Sequence, residues 1–249
     1  MTKLSNLDNS DNRDKELDAL FANIPLETPT LADLPSKGRF YTGFKGVQVS
    51  PLLFEDEQRI LLSKNKNINP VNEIISKCIT GINLNDLLIM DKLYLLLKIK
   101  EISYGPEYKF ETTCPKCGFR AETSLDVSKN LPITYVSDEI SDPREITLPV
   151  LKAKVGVRFP RVVDEQYLSD IDIALNNLYR FVVSINDNKD PVFIAKALKK
   201  MNIRDLKTIS MSIHRNDLGV DARFIFECPE CKYNAPLGVP FDANFFSVS

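Results

Sequence analysis

Tryptophan is absent from this 249-residue chain, histidine occurs once, and glycine only nine times. Aromatic packing therefore rests on 14 Phe and 8 Tyr. The lone histidine, His214, falls near the end of an expected helix, where it reads as a surface or capping residue. With the paired cysteines assigned below to metal, no Ser-His or Cys-His system remains for nucleophilic catalysis. Glycine-rich phosphate loops are missing too: there is neither a Walker A sequence nor a GxGxxG. No enzyme is expected.

Long hydrophobic runs are also lacking. The most apolar stretch, Leu84 to Ile102, is broken by Asp86, Asp91, Lys92, Lys98, Lys100 and Glu101. It reads as a buried helix and not as a membrane span. Met1 to Asp14 is polar and acidic, without the apolar centre of a secretory signal, so a reducing cytoplasm is the expected setting. Charge of one sign is not in excess: 32 basic and 34 acidic side chains leave a net −2. That balance gives no bulk attraction to nucleic acid or to an anionic membrane.

After the polar start, Leu17, Leu20, Phe21 and Ile24 fall at helical spacing on an acidic segment. Two readings stand for this stripe: a helix packed on its own domain, or a docking peptide for a partner. Pro25, Pro29 and Pro35 keep the next stretch extended. From Gly46 the order of elements repeats. Val47 and Val49 alternate as a strand before a helix opened by Asp56-Glu57-Gln58; Val155 and Val157 do so before Asp164-Glu165-Gln166. Asn69-Pro70 and Asp190-Pro191 each pair an N-cap with proline at the first helical position. Asp86-Leu87 and Asp205-Leu206 are expected in a third helix of each copy. The order argues for internal duplication, with offsets of 108 (164 − 56), 121 (191 − 70), 119 (205 − 86) and 114 (228 − 114).

Four of the five cysteines form CxxC pairs, Cys114/Cys117 and Cys228/Cys231. Alternating apolar residues flank each pair, the pattern of a half-buried hairpin. The two-residue gap lets both thiolates face one point, and two such knuckles complete a closed tetrahedral site for one structural zinc ion. Between the pairs lie 110 residues (228 − 117 − 1), so the metal would staple two halves together. Two redox-active pairs are the rival reading, disfavoured because each pair continues into a strand and not into a helix start. Cys78, amid Ile74 and Ile75, reads as a buried inert thiol. Tyr94 to Ile99 reads as core, and Phe241, Phe245 and Phe246 as a cluster buried against the hairpins.

The expected fold is α+β: two quasi-repeated lobes of helices and short antiparallel hairpins, bridged by a zinc-ribbon-like site of four cysteines. A flexible acidic arm spans residues 1–30, the first lobe 31–130 and the second 131–249. Residues Lys116, Arg120 and Lys232 on the knuckles keep a zinc-ribbon nucleic-acid-binding protein as the alternative function, though stacking aromatics interleaved with basic residues are sparse.

The segment Leu34-Pro35-Ser36-Lys37-Gly38-Arg39-Phe40-Tyr41 resembles the Leu-Pro-Ser-x-Gly-x-x-Tyr with which baseplate proteins of T-even-type phages begin their ordered part. Asp91 to Tyr108, ahead of the first CxxC, and Val155 to Gln166 are similar to the same family. Together these segments span roughly residues 31 to 241. The resemblance is to baseplate hub subunits and hub assembly proteins of contractile-tailed phages. It implies work on the central tail hub, as a virion component or as an assembly factor in the host cytoplasm that leaves afterwards. Its partners would be other baseplate hub proteins, and it carries no catalytic residues. Phe40 and Tyr41 either cap the core or join Leu17, Leu20, Phe21 and Ile24 as partner contacts.

Overall fold

Valine-rich strands and helices capped by Asn or Asp alternate along the chain, and every strand pairing is antiparallel, an α+β fold. The computed structural model describes residues 29–61, 69–168, 176–215, 217–241 and 243–246, together with 13, 15–17, 19 and 20. Strands β1 (Thr30–Ala32), β2 (Val47–Val49) and β3 (Ile79–Thr80) form one sheet in that order. Helices α1 (Phe54–Leu61) and α2 (Pro70–Cys78) lie between β2 and β3. In α2, the Asn69 side chain accepts the Val71 N–H, and Pro70 fills the first turn, where no amide is needed. A 3-10 turn at Leu84–Asp86 leads into α3 (Ile89–Tyr104), which ends at Gly105 with φ 85°. The hairpin β4 (Glu107–Thr113) and β5 (Arg120–Asp126) follows.

The second half runs through β6 (Ile133–Thr134), then a sheet of β7 (Arg144–Thr147), β8 (Lys154–Val157) and β9 (Val182–Ile185). Helices α4 (Pro191–Lys200) and α5 (Ile203–Ile213) come next, capped by Asp190 and Asn202. β10 (Gly219–Val220) pairs with β6 before the hairpin β11 (Arg223–Glu227) and β12 (Asn234–Gly238) closes the fold. Among the described residues no helix is long and apolar enough to cross a membrane.

The interior gathers around α3, where Tyr94, Leu95 and Ile99 pack with Val47, Ile75 and Tyr108. Each such fully buried side chain contributes about 1.5–3 kcal/mol. Val239, Phe245 and Phe246 join this same interior from the far end of the chain, and the Tyr108 hydroxyl donates to the Pro240 carbonyl at 2.9 Å. Phe245 sits edge-on to Tyr108 at 4.8 Å. A separate interior around Leu148, Val155, Phe181 and Ile209 supports the second sheet. The two meet at Phe40, Leu88, Met90, Val136, Phe159 and Leu218.

That junction is built from backbone as well as side chains. Val162 N–H donates to Leu87 C=O at 2.8 Å and Ile89 N–H to Pro160 C=O at 3.2 Å, tying the start of α3 to the segment after β8. The Arg161 guanidinium donates to the carbonyls of Asp86 and Phe40. Lys92, largely buried, pairs with Glu165 at 2.5 Å.

The repeat is present but aligned differently from the expectation. Both sheets place their second strand in the middle, yet α2 precedes the third strand of its sheet whereas α4 follows the third strand of the other. Pro70 and Pro191 are therefore not equivalents. Nor does Asp86 lie in a long helix; it closes a 3-10 turn. The segment after Asp164 is likewise a 3-10 turn, Val162–Tyr167, and Ile171 lies outside the described residues.

Val47, Val49 and Asp56 recur as Val155, Val157 and Asp164 at an offset of 108, on the middle strand of each sheet and just after it, and the other equivalences share a second offset. Leu34-Pro35, Asp91, Gly105 and Cys114 recur as Leu148-Pro149, Asp205, Gly219 and Cys228, since 148 − 34, 205 − 91, 219 − 105 and 228 − 114 all equal 114. Leu34 and Leu148 are both buried, and in each turn the C=O of that leucine accepts an amide from a lysine with positive φ, Lys37 or Lys152. Asp91 and Asp205 are both the third residue of a helix and both buried. Asp91 accepts the Ser36 N–H at 3.0 Å; Asp205 accepts those of Val150 and Leu151 at 2.8 and 3.0 Å. In each half, then, a buried carboxylate pins the Leu-Pro turn to the helix that leads toward the cysteines.

A buried carboxylate that holds two amides cannot be removed cheaply. Asp205→Ala is expected to cost about 3 kcal/mol, because the Val150 and Leu151 amides lose their acceptor. Urea unfolding monitored by circular dichroism measures it.

Candidate metal centre

Each knuckle turns back on itself through the same bonds. Cys114 N–H donates to Phe119 C=O and Gly118 N–H to Cys114 C=O, at 2.8 and 2.9 Å. Cys228 N–H donates to Tyr233 C=O and Lys232 N–H to Cys228 C=O, at 2.8 and 3.0 Å. The residue after each second cysteine must enter the left-handed region: Gly118 has φ 74° and Lys232 φ 57°. Glycine does this without strain, whereas lysine there costs about 1 kcal/mol.

The two hairpins belong to separate two-stranded sheets and meet through side chains. Phe110 packs edge-on to Phe224 at 5.3 Å, and Phe224 to Phe226 at 6.5 Å, which lays an aromatic floor beneath the sulfurs. Above it the four Sγ atoms lie within 4.8 Å of one another. Cys114 Sγ is 3.7 Å from Cys231 Sγ, and Cys117 Sγ is 3.7 Å from Cys228 Sγ. Exchanging the halves turns one contact into the other, so the site has a local two-fold symmetry. The first cysteine of each pair is buried, while Cys117 is exposed and Cys231 partly so.

These distances suit a metal. Four thiolates held about 2.3 Å from a central zinc stand about 3.8 Å apart along the edges of the tetrahedron. The electrostatics point the same way. Burial raises the Cys114 thiol, but amides of Cys117 and Lys116 and the neighbouring thiols outweigh it and bring it down to about 7. For Cys117 the Phe119 amide favours the thiolate, yet burial and the three other sulfurs push it up to about 12. One thiolate in the cluster thus opposes the next, and full ionisation needs a cation at the centre.

The remaining sequence-derived residues divide. Cys78 is buried beside Ile74 and Ile75, its thiol pushed up to about 12 by burial and by Asp56 nearby, as an inert core residue would be. His214 caps α5, its Nδ1 2.8 Å from Ser210 O. Phe40 and Tyr41 are turned inward. Phe40 packs on Phe159 at 5.3 Å, while the Tyr41 hydroxyl donates to Asp91 at 2.5 Å and accepts the Leu88 N–H at 3.0 Å. Both are partly buried at the junction of the halves, as the core-capping reading expects. Leu17 and Leu20 are helical and exposed; Phe21 and Ile24 lie outside the described residues. The sequence pattern matched Asp205 to Asp86, whereas its buried counterpart is Asp91, which reads in the sequence only as an interruption of an apolar run. The constant offset of 114 was the signal that marks them.

A family model described as T4 bacteriophage base plate protein matches residues 26–246. The chain belongs to that family. It is a phage baseplate protein, in agreement with the resemblance carried by Leu34 to Tyr41. The matched span takes in both Leu-Pro turns, both buried aspartates and all four clustered cysteines. No curated protein and no solved structure matches the chain.

Metal removal tests the site directly. Protein purified at neutral pH is expected to carry one zinc per chain and to release it below about pH 5, as protons compete for the thiolates. Cys228→Ser leaves three ligands and is expected to lose the metal and melt far below wild type, because both halves lose their common anchor. Native mass spectrometry and thermal melts read the two outcomes; wild-type melting of Cys228→Ser would refute the anchor.

Proposed function

We propose that this baseplate protein acts without catalysis, as a chaperone-like hub assembly factor or a hub subunit, through contacts with other phage baseplate hub proteins. Its four cysteines hold one structural zinc ion in a zinc-ribbon-like arrangement. The observation that carries this reading is the family match across 26–246, joined to a cysteine cluster whose four ligands leave no open coordination position for chemistry. Metal held in this way fixes shape. A protein of that kind works by presenting surface, first in the host cytoplasm during assembly and then, for a subunit, in the virion baseplate.

The acidic arm is the first candidate contact. Leu17 and Leu20 are 55% and 64% exposed on a helical segment, free to enter a partner's groove. Nucleic-acid binding has less support, since Arg120 on the first knuckle already pairs with Glu111 at 3.4 Å and Glu230 stands between Cys228 and Cys231.

Co-purification from infected cells, with metal measured on the same sample, tests the proposal. Hub proteins and one zinc per chain are the expected result; zinc without any tail protein refutes the hub role. Deleting residues 1–24 is expected to leave the melting temperature unchanged while weakening hub binding at least about tenfold, the loss of one apolar anchor or more.

A further inference from the structure

The junction between the halves uses two surfaces, and each has an unused counterpart. One surface is the start of α3 with its Leu-Pro turn: Leu87 to Ile89 bond to Pro160 and Val162, and Val136 N–H donates to Pro35 C=O at 2.8 Å. At the constant offset of 114, its counterpart in the second half is Val150 and Leu151 with Asn202 and Ile203 at the start of α5. Nothing described covers it. Val150 and Leu151, 45% and 54% exposed, line an open groove of about 500 Å³ with Ala197, Lys200, Met201 and Asn202, and Ile203, 73% exposed, is the next residue along the chain.

The other surface is the segment Pro160 to Val162, where the 3-10 turn before Asp164-Glu165-Gln166 begins. Its counterpart in the first half is Leu52 to Phe54, where α1 begins ahead of Asp56-Glu57-Gln58, since 162 − 54 and 164 − 56 both equal 108. This segment too is bare: Leu53 is 56% and Phe54 71% exposed. One chain therefore carries the two complementary faces of its own internal junction, each apolar and each without a partner among the described residues.

Their charges are opposite. Glu55, Asp56 and Glu57 crowd the first turn of α1 beside Phe54. Lys200 lines the groove, exposed Lys152, Lys199 and Arg204 neighbour Leu151, Lys200 and Ile203 in sequence, and the lining carboxylate, Asp205, is buried on the Val150 and Leu151 amides; among the described residues no carboxylate forms an ion pair with any of the four cations. We infer that the occupant of the Leu151/Ile203 groove is a second copy of this chain, which enters with Leu53 and Phe54 and repeats between molecules the contact made once within each. The two faces differ, so the association is head to tail and extends into a ring or a short filament. The acidic edge against the basic rim sets register and speeds encounter.

Sedimentation velocity on the full chain, from about 1 to 200 µM and at low and high salt, tests this. Oligomers that grow with concentration and shrink with salt are expected. Phe54→Asp and Ile203→Asp should each sediment as a monomer at every concentration while melting like wild type. Mixed together, they should form a 1:1 dimer that grows no further, because each retains one intact face. Leu53→Asp and Leu151→Asp serve as a second pair should either variant fail to fold. A monomeric wild type overturns the inference, as does a mixture that stays monomeric. Association that is lost on removing residues 1–28 but survives both point substitutions also overturns it, by making the acidic arm the occupant.

Discussion

Everything in this chain depends on four sulfur atoms drawn from positions more than a hundred residues apart. Thiols at van der Waals contact gain little from one another, and thiolates at that distance repel, so the convergence favours a cation at its centre. Closing so long a loop has an entropic cost that rises slowly with length, and the aromatic floor of Phe110, Phe224 and Phe226 offsets part of it before any metal binds. Around that point the C-terminal segment is drawn back, so that Phe245 and Phe246 finish the interior begun by α3. The hairpins are thus a clasp and a lid at once.

A second constraint operates farther from the cysteines. Asp91 and Asp205 are carboxylates in apolar surroundings, and burial raises the Asp91 carboxyl even though Ser36 and Tyr41 donate to it. A group so placed is a poor contributor to raw stability but a strict one for geometry, since only one loop conformation brings donors to both of its oxygens, an amide and the Tyr41 hydroxyl for Asp91 and two amides for Asp205. The Leu-Pro turns are held to their helices in this way, and the helices in turn aim the knuckles. Arg161 performs the corresponding task across the junction, reaching two carbonyls of the first half while its ring neighbour Tyr41 lies 5.6 Å away.

Much of this was legible in the amino-acid order. CxxC spacing with alternating flanks led directly to the hairpins and to the clustering of the four cysteines, because a knuckle is a local structure and its signals lie within a dozen residues. Val47/Val49 and Val155/Val157 announced strands for the same reason. What could not be read was set by distant contacts. Phe40 and Tyr41 follow a turn sequence typical of exposed loops, yet Phe159 and Asp91, both far along the chain, draw them inward. The Asn-Pro and Asp-Pro helix starts look alike because any capped helix uses that chemistry, and a shared cap carries no information about which side of a strand the helix will occupy. The halves also differ in the helix before the hairpin: α3 has 16 residues and α5 has 11, so local similarity does not give equal packing.

The two-fold symmetry of the sulfur site has a bearing on origins. A half-length chain with one knuckle would own two ligands and could saturate a tetrahedral metal only by meeting a twin. Joined end to end, the two halves meet at an effective concentration set by their tether instead of by supply, so the four thiols converge at any dilution. A covalent link of that kind does not require the halves to be identical. The lysine after Cys231, where the first knuckle has glycine after Cys117, and the 11 residues of α5 against the 16 of α3 are divergence of the kind such a link permits.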